Sequence, residues 1–272
     1  TFFVEEIEPK LKPQVQKLNQ KYYDCPARAL LDKTRYAVFN RNVETDIELF
    51  REENIPLQTE DTLLRQKYQK INGAMTAEMD GEEKTLQQLE AMLEETDRNR
   101  RQEAWGKIVN RRLQDREAMD EIYVRMVELG TAIGRNAGFE NYRDYMFRSM
   151  KRFDYTPRNC EEFHAAIEKW VVPLSRKLAQ KRQEVLGVDR LRPWDLEVDP
   201  KGRAPLTPFK TGQELKAGVR TILEKVNLTL AALFEDMDRR GNLDLESRKG
   251  KAPGGYCIGF PEIRQPFIFM NA

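Results

Sequence analysis

Between Thr96 and Leu129 apolar residues return every three to four positions, at Ala104, Trp105, Ile108, Val109, Leu113, Met119, Ile122, Tyr123 and Met126. Only an α-helix gathers residues of that spacing onto one face, because side chains in a strand alternate every second residue. Thr96-Asp97 stands ahead of the run as an N-cap. The spacing therefore predicts one long helix over 96–129 with this stripe buried. Such a helix needs other helices to cover the stripe, and the chain supplies them.

Val4, Ile7, Leu11, Val15 and Leu18 keep the same period with no capping residue ahead, so the start reads as the middle of an element. Pro9 and Pro13 weaken its early turns. A second helical pattern runs from Pro26 to about Phe50, marked by Leu30, Leu31, Val38, Ile47 and Phe50, and a third follows Pro56 to about Ile71. Helices return from Leu86. Gly130, Gly134 and Gly138 mark close packing and a helix stop. Residues 139–150 (FENYRDYMFRSM) form a short aromatic helix. Thr156-Pro157 opens another that reaches Gly187, with Phe163, Ile167, Trp170, Leu174 and Leu178 on one face and a kink at Pro173. Thr211 and Glu214 form a capping box for a helix to about Arg240, ended by Gly241.

Three stretches break the helical period. Asp80-Gly81 sits between two short alternating runs, which predicts an exposed polar β-hairpin at 74–86. The proline-rich 192–209 is non-helical, with room for a short strand at Leu196–Asp199. Residues 254–258 and 266–270 read as two closing strands. The expected fold is mainly α, a helical lobe with a small β-hairpin and a few short strands near the C-terminal end.

Charge excludes several functions. Lys and Arg number 46 and Asp and Glu 45, a net of +1 with 33% of residues charged. Such a balance gives no electrostatic footprint for nucleic acid or an anionic membrane. No apolar run approaches the ~20 residues needed to span a bilayer, and Glu5-Glu6 directly after Phe2-Phe3-Val4 argues against a signal peptide. Cys25, Cys160 and Cys257 are far apart with no CxxC pair, which favours a reducing compartment and makes cytoplasm the expected location. No internal repeat is present, and no motif sets an oligomeric state.

Few residues suggest chemistry. His164 is the single histidine, with Glu161 and Glu168 on its helical face, but three ligands from one helix rarely close a zinc site. A cysteine or serine triad in most cases needs a histidine base, and the chain has only that one. The acids of 195–202 (DLEVDPKG) lack the oxygen count and spacing of a calcium loop and read as a turn. Gly254, Gly255 and Tyr256 say more. Glycine in a strand lets another backbone come close, and an exposed strand edge can pair with an extended peptide.

Five separated stretches occur in order: FREENIPLQTEDTLLRQKYQKINGAMTAEMDGEEKTL, RFDYTP, RPWDLEVDP, LDLESRKGKAPGGYC and PFIFMNA. Together, over about Thr45 to Ala272, they resemble the oligoendopeptidase F branch of the thimet-type zinc metallopeptidases. The resemblance implies a helical protein that encloses a channel and hydrolyses short peptides. It implies zinc held by an HExxH helix and a later glutamate. No HExxH occurs in these 272 residues, so the expectation is an internal fragment that ends before that motif. On this reading residues 1–95 are the remainder of an N-terminal helical lobe, and 96–272 are the front of a catalytic domain. The parent would use zinc. This chain would hold no metal, no cofactor and no catalytic residue, and would be inactive alone, with Gly254, Gly255 and Tyr256 as the substrate-binding residues. Composition alone fits an alternative, a non-catalytic helical scaffold or peptide-binding module.

Overall fold

Prolines shape the first helix. A computed structural model describes residues 1–271, and in it a single π turn (Phe3–Ile7) leads into α1 (Glu8–Tyr23), with Pro9 in its first turn and Pro13 inside. A proline ring collides with the carbonyl four residues back, and a wide turn just before Pro9 relieves that collision. A 3₁₀ turn (Pro26–Leu30) precedes α2 (Ala37–Leu49) and α3 (Asn54–Gly73). Next come strands β1 (Thr76–Met79) and β2 (Glu82–Thr85), then helices α4 (Leu86–Ala91), α5 (Arg98–Gln114) and α6 (Arg116–Asn136). Helices α7 (Tyr142–Ser149), α8 (Pro157–Ala166) and α9 (Val172–Leu186) follow. The last third holds α10 (Gly212–Val226), α11 (Leu228–Arg239), β3 (Leu243–Asp244), β4 (Gly254–Phe260) and β5 (Gln265–Asn271). No helix among the described residues is long and apolar enough to cross a membrane.

The mainly helical expectation holds, and local polar groups explain where boundaries differ. The pattern from Pro26 does not run as one helix, because Asp32 turns the chain by accepting from the Thr34 and Arg35 amides. The helix foreseen over 96–129 is two, α5 and α6, parted at Asp115; Asp97 does cap α5. Its stripe is only partly buried, for Leu113 and Tyr123 lie exposed. The helix foreseen to Arg240 breaks at Asn227, an extended residue whose side chain caps α11 by accepting from the Thr229 and Leu230 amides. Pro173 is preceded by a π turn (Ile167–Val171), and the Phe163, Trp170, Leu174 and Leu178 face is exposed. Residues 196–199 form no strand. Arg182 holds this segment by donating to the Asp195 and Val198 carbonyls. Asp199 makes the expected turn, accepting from the Lys201 amide.

Two compact units divide the chain, one of residues 1–68 with 117–177 and one of 69–116 with 178–271. In the first, Leu49, Ile133, Ala137 and Tyr145 are buried together, with Leu57, Phe139, Tyr142 and Met146 against them. Gly130 is required there, since a Cβ would lie 2.9 Å from the Tyr142 ring. Buried Asn54 links the backbone of α6 to α3 by donating to the Ile133 carbonyl at 3.1 Å and accepting from Asn136 at 2.8 Å.

The second unit contains both hairpins. β1 and β2 pair antiparallel through the turn at Asp80 and Gly81, whose φ of 59° and 76° suit that sequence. The hairpin is exposed from Asp80 to Glu83 as expected, while Met79, only 1% exposed, and Thr85 are buried. An ion triad around one buried carboxylate joins α5 to the turn at Pro193–Asp195. Asp195 is fully buried and accepts from Arg98 at 2.9 Å twice and from Arg101 at 3.1 Å. Burial alone would raise its pKa, but hydrogen bonds from Arg98, the Arg192 amide and Arg101 outweigh it and hold the carboxyl below its ordinary value.

Candidate functional site

The closing sheet has the order β3-β5-β4, so β4 lies at an edge. β5 pairs parallel with β3 and antiparallel with β4, from Gly254 opposite Asn271 to Phe260 opposite Gln265. Every residue of β4 is exposed, including Tyr256, Ile258 and Phe260. Backbone amide and carbonyl groups on the outer side of an edge strand have no partner within the sheet. They form a template for an extended chain.

The residues singled out from sequence open that strand. Gly254 has φ +88°, a left-handed conformation that costs an L-residue about 1–2 kcal/mol. Gly255 has an ordinary φ, but a Cβ there would sit 3.0 Å from the Phe269 carbonyl oxygen. Tyr256 stacks on Phe269 with ring centroids 5.0 Å apart and planes 9° from parallel. Two bare backbone positions are thus followed by a braced aromatic.

Sequence reasoning missed what holds this strand in place. Lys251 has a side chain only 1% exposed. Its ammonium donates to the Asp244 carbonyl (3.1 Å), Asp244 Oδ1 (2.9 Å), the Glu246 carbonyl (2.7 Å) and the Met270 carbonyl (2.7 Å), and lies 4.7 Å from the Phe269 ring centroid. One cation ties β3, the turn after it and β5 together three residues before β4 begins. Asn271 adds to this, donating to the Lys251 and Ala252 carbonyls at 3.0 Å each. Hydrogen bonds from Arg248, opposed by desolvation and aided by Lys251, hold the Asp244 carboxyl well below its ordinary value. Lysine is rarely buried without partners, yet nothing in the run RKGK distinguishes its buried lysine from its exposed one.

Beside the start of β4 is a hollow of about 590 Å³ walled by Gln69, Arg248, Lys249, Lys251, Tyr256 and Phe269, among others. The turn that carries it is pinned by the Gly250 amide donating to the Gly73 carbonyl at 2.7 Å.

Other candidates do not assemble. Among the described residues no three His, Cys, Asp or Glu side chains converge to hold a metal ion. Glu161, which shares the His164 face, lies 3.5 Å from Arg143. The donor set in these residues therefore does not fit a catalytic zinc.

No curated protein matches the chain. A solved structure described as oligoendopeptidase F from Bacillus anthracis str. Ames is 25% identical, with a TM-score of 0.91 over 100% of this chain and 49% of its own. PZ peptidase A, solved with an inhibitor, is 28% identical with a TM-score of 0.91, over 100% of this chain and 48% of its own. This chain thus spans about half the length of the solved relatives it matches. The sequence pattern of peptidase family M3 matches residues 91–272. That match takes in well over half of the chain, including the triad around buried Asp195, the lysine-tied turn and the edge strand, and on it the chain belongs to peptidase family M3.

Proposed function

We propose that this chain is part of a zinc-dependent oligopeptidase that hydrolyses short peptides in an enclosed channel, and that its own contribution is to grip substrate backbone. The observation that carries the reading is β4, an exposed edge strand opened by two glycines, in a chain of peptidase family M3. An extended peptide laid against Gly254, Gly255 and Tyr256 would gain backbone hydrogen bonds worth about 0.5–1.5 kcal/mol each, whatever its side chains. Main-chain recognition suits an enzyme that accepts many short peptides.

Zinc supplies, in such chemistry, a Lewis acid and an acidified water. The residues described here offer no set to hold it, so in this proposal the metal and the general base come from parts of the parent outside them. The division into a helical lobe (1–95) and the front of a catalytic domain (96–272) belongs to the same proposal. Short peptides are the partners, with neither nucleic acid nor membrane involved.

The test compares the purified 272-residue chain with the longest chain its gene encodes, on a quenched short peptide, with and without a zinc chelator. The expected result is chelator-sensitive cleavage by the longer chain and none by the shorter. Chelator-sensitive cleavage by the 272-residue chain would overturn the binding-only role. A longer chain that cleaves nothing would overturn the peptidase reading.

A further inference from the structure

We propose that the hollow at the start of β4 anchors a carboxylate at the end of a bound peptide. The inference rests on the reading that β4 takes up a peptide strand, and it adds a direction and an end to that strand.

Charge on the wall is the first reason. The charged side chains lining the hollow are Arg248, Lys249 and Lys251, all cations. Their acidic partners, Asp244 and Glu83, do not line it.

Donor capacity is the second. Arg248 donates to Asp244 through two nitrogens, at 2.6 and 2.8 Å. A guanidinium carries five N–H groups, so three remain. Lys249 gives Glu83 one hydrogen at 2.6 Å and has two more. Lys251 is different: its three hydrogens already face four oxygens. It serves as a fixed positive charge, while Arg248 and Lys249 are the groups able to reach a ligand. Gln69 adds a neutral amide to the wall.

Position is the third. The hollow includes the residues just before β4, together with Tyr256. A peptide added antiparallel to β4 would bring its C-terminal end to Gly254 and the hollow. A parallel one would bring its terminal ammonium to a wall of three cations that Asp244 and Glu83 offset only in part. Electrostatics therefore selects the antiparallel direction. The chemistry recognised is a carboxylate, whether the chain terminus or an acidic last side chain.

The experiment uses a short labelled peptide of otherwise uncharged residues in three forms: free C-terminal acid, C-terminal amide, and amide with glutamate as the last residue. Binding to the 272-residue chain is read by fluorescence anisotropy at low and high salt. The acid should bind about fivefold more tightly than the plain amide, the scale of a partly exposed charge pair. Salt should erase most of that difference. Lys249→Gln, a change at an exposed residue, should do the same without altering the helical circular dichroism. If the glutamate-ended amide matches the acid, any terminal carboxylate is accepted; if it behaves like the plain amide, the anchor is for the chain terminus. Equal binding of acid and plain amide at low salt would overturn the anchor and leave the strand-edge reading standing. No binding of any form would overturn the strand-edge reading and the anchor with it.

Discussion

The two antiparallel hairpins of the second unit reverse what their compositions suggest. β1–β2 is polar in sequence and exposed at its turn, yet it is anchored at several points. Met79 and Thr85 are buried, Asp80 takes a two-pronged hydrogen bond from Arg100, and Thr85 Oγ1 lies 3.1 Å from Ser247 Oγ. β4–β5 is aromatic and aliphatic, yet β4 is exposed throughout. Polarity along a strand reports which groups find local partners. It does not report whether the element is covered. A strand rich in Tyr, Ile and Phe that stays open presents exposed apolar surface, and large surfaces of that kind usually mark a contact.

Truncating a side chain in the closed hairpin should have the largest effect. Met79→Ala should cost about 3 kcal/mol in urea unfolding, through lost burial and the cavity left behind. A cost below about 1 kcal/mol would erase the distinction between the hairpins. Next is the tie beneath the open one. Lys251→Met should cost about 2 kcal/mol, because buried oxygens of Asp244, Glu246 and Met270 lose their donor. It should also raise hydrogen exchange in β5 more than in β1 and β2.

Acid should act in the same direction. The Asp244 carboxyl is held below its ordinary value of 3.8 in the folded chain, chiefly by Arg248. A depressed pKa contributes stability that is complete above the unfolded value and is lost as pH falls through the folded one. The urea midpoint should therefore decline from about pH 5 toward pH 2, and Asp244→Asn should flatten that decline. The smallest effect belongs to the open strand. Ile258→Ala should change stability by less than about 0.5 kcal/mol, as at other exposed positions. A cost similar to that of Met79→Ala would mean that β4 is covered in solution.

Local signals made much of this legible from the residues. Asp80-Gly81 needs positive φ, Asp97 and Thr156 need only the next turn to act as caps, and the Gly130–Tyr142 contact lies twelve residues apart along the chain. What stayed hidden depends on distant partners. Arg98 and Arg101 meet Asp195 across more than ninety residues, and α5 gives no sign that its Arg101 is buried. The breaks at Asp115 and Asn227 were hidden for another reason, since the apolar period continues through both and only the backbone changes. At the candidate site, Gly254, Gly255 and Tyr256 were readable as a strand opening. The ammonium of Lys251 was not, because its four oxygens come from three separate segments.

The two π turns bear on how this chain compares with its relatives residue by residue. Each stands just ahead of a proline, at Phe3–Ile7 before Pro9 and at Ile167–Val171 before Pro173. A π turn holds one residue more than the α turn it replaces and rotates everything after it by about 100°. Such a residue behaves as an insertion that the helix has absorbed without a loop. Relatives with a regular α turn at either place should be one residue shorter there and should lack the proline. A relative that keeps the proline but drops the residue would need to bend its helix instead.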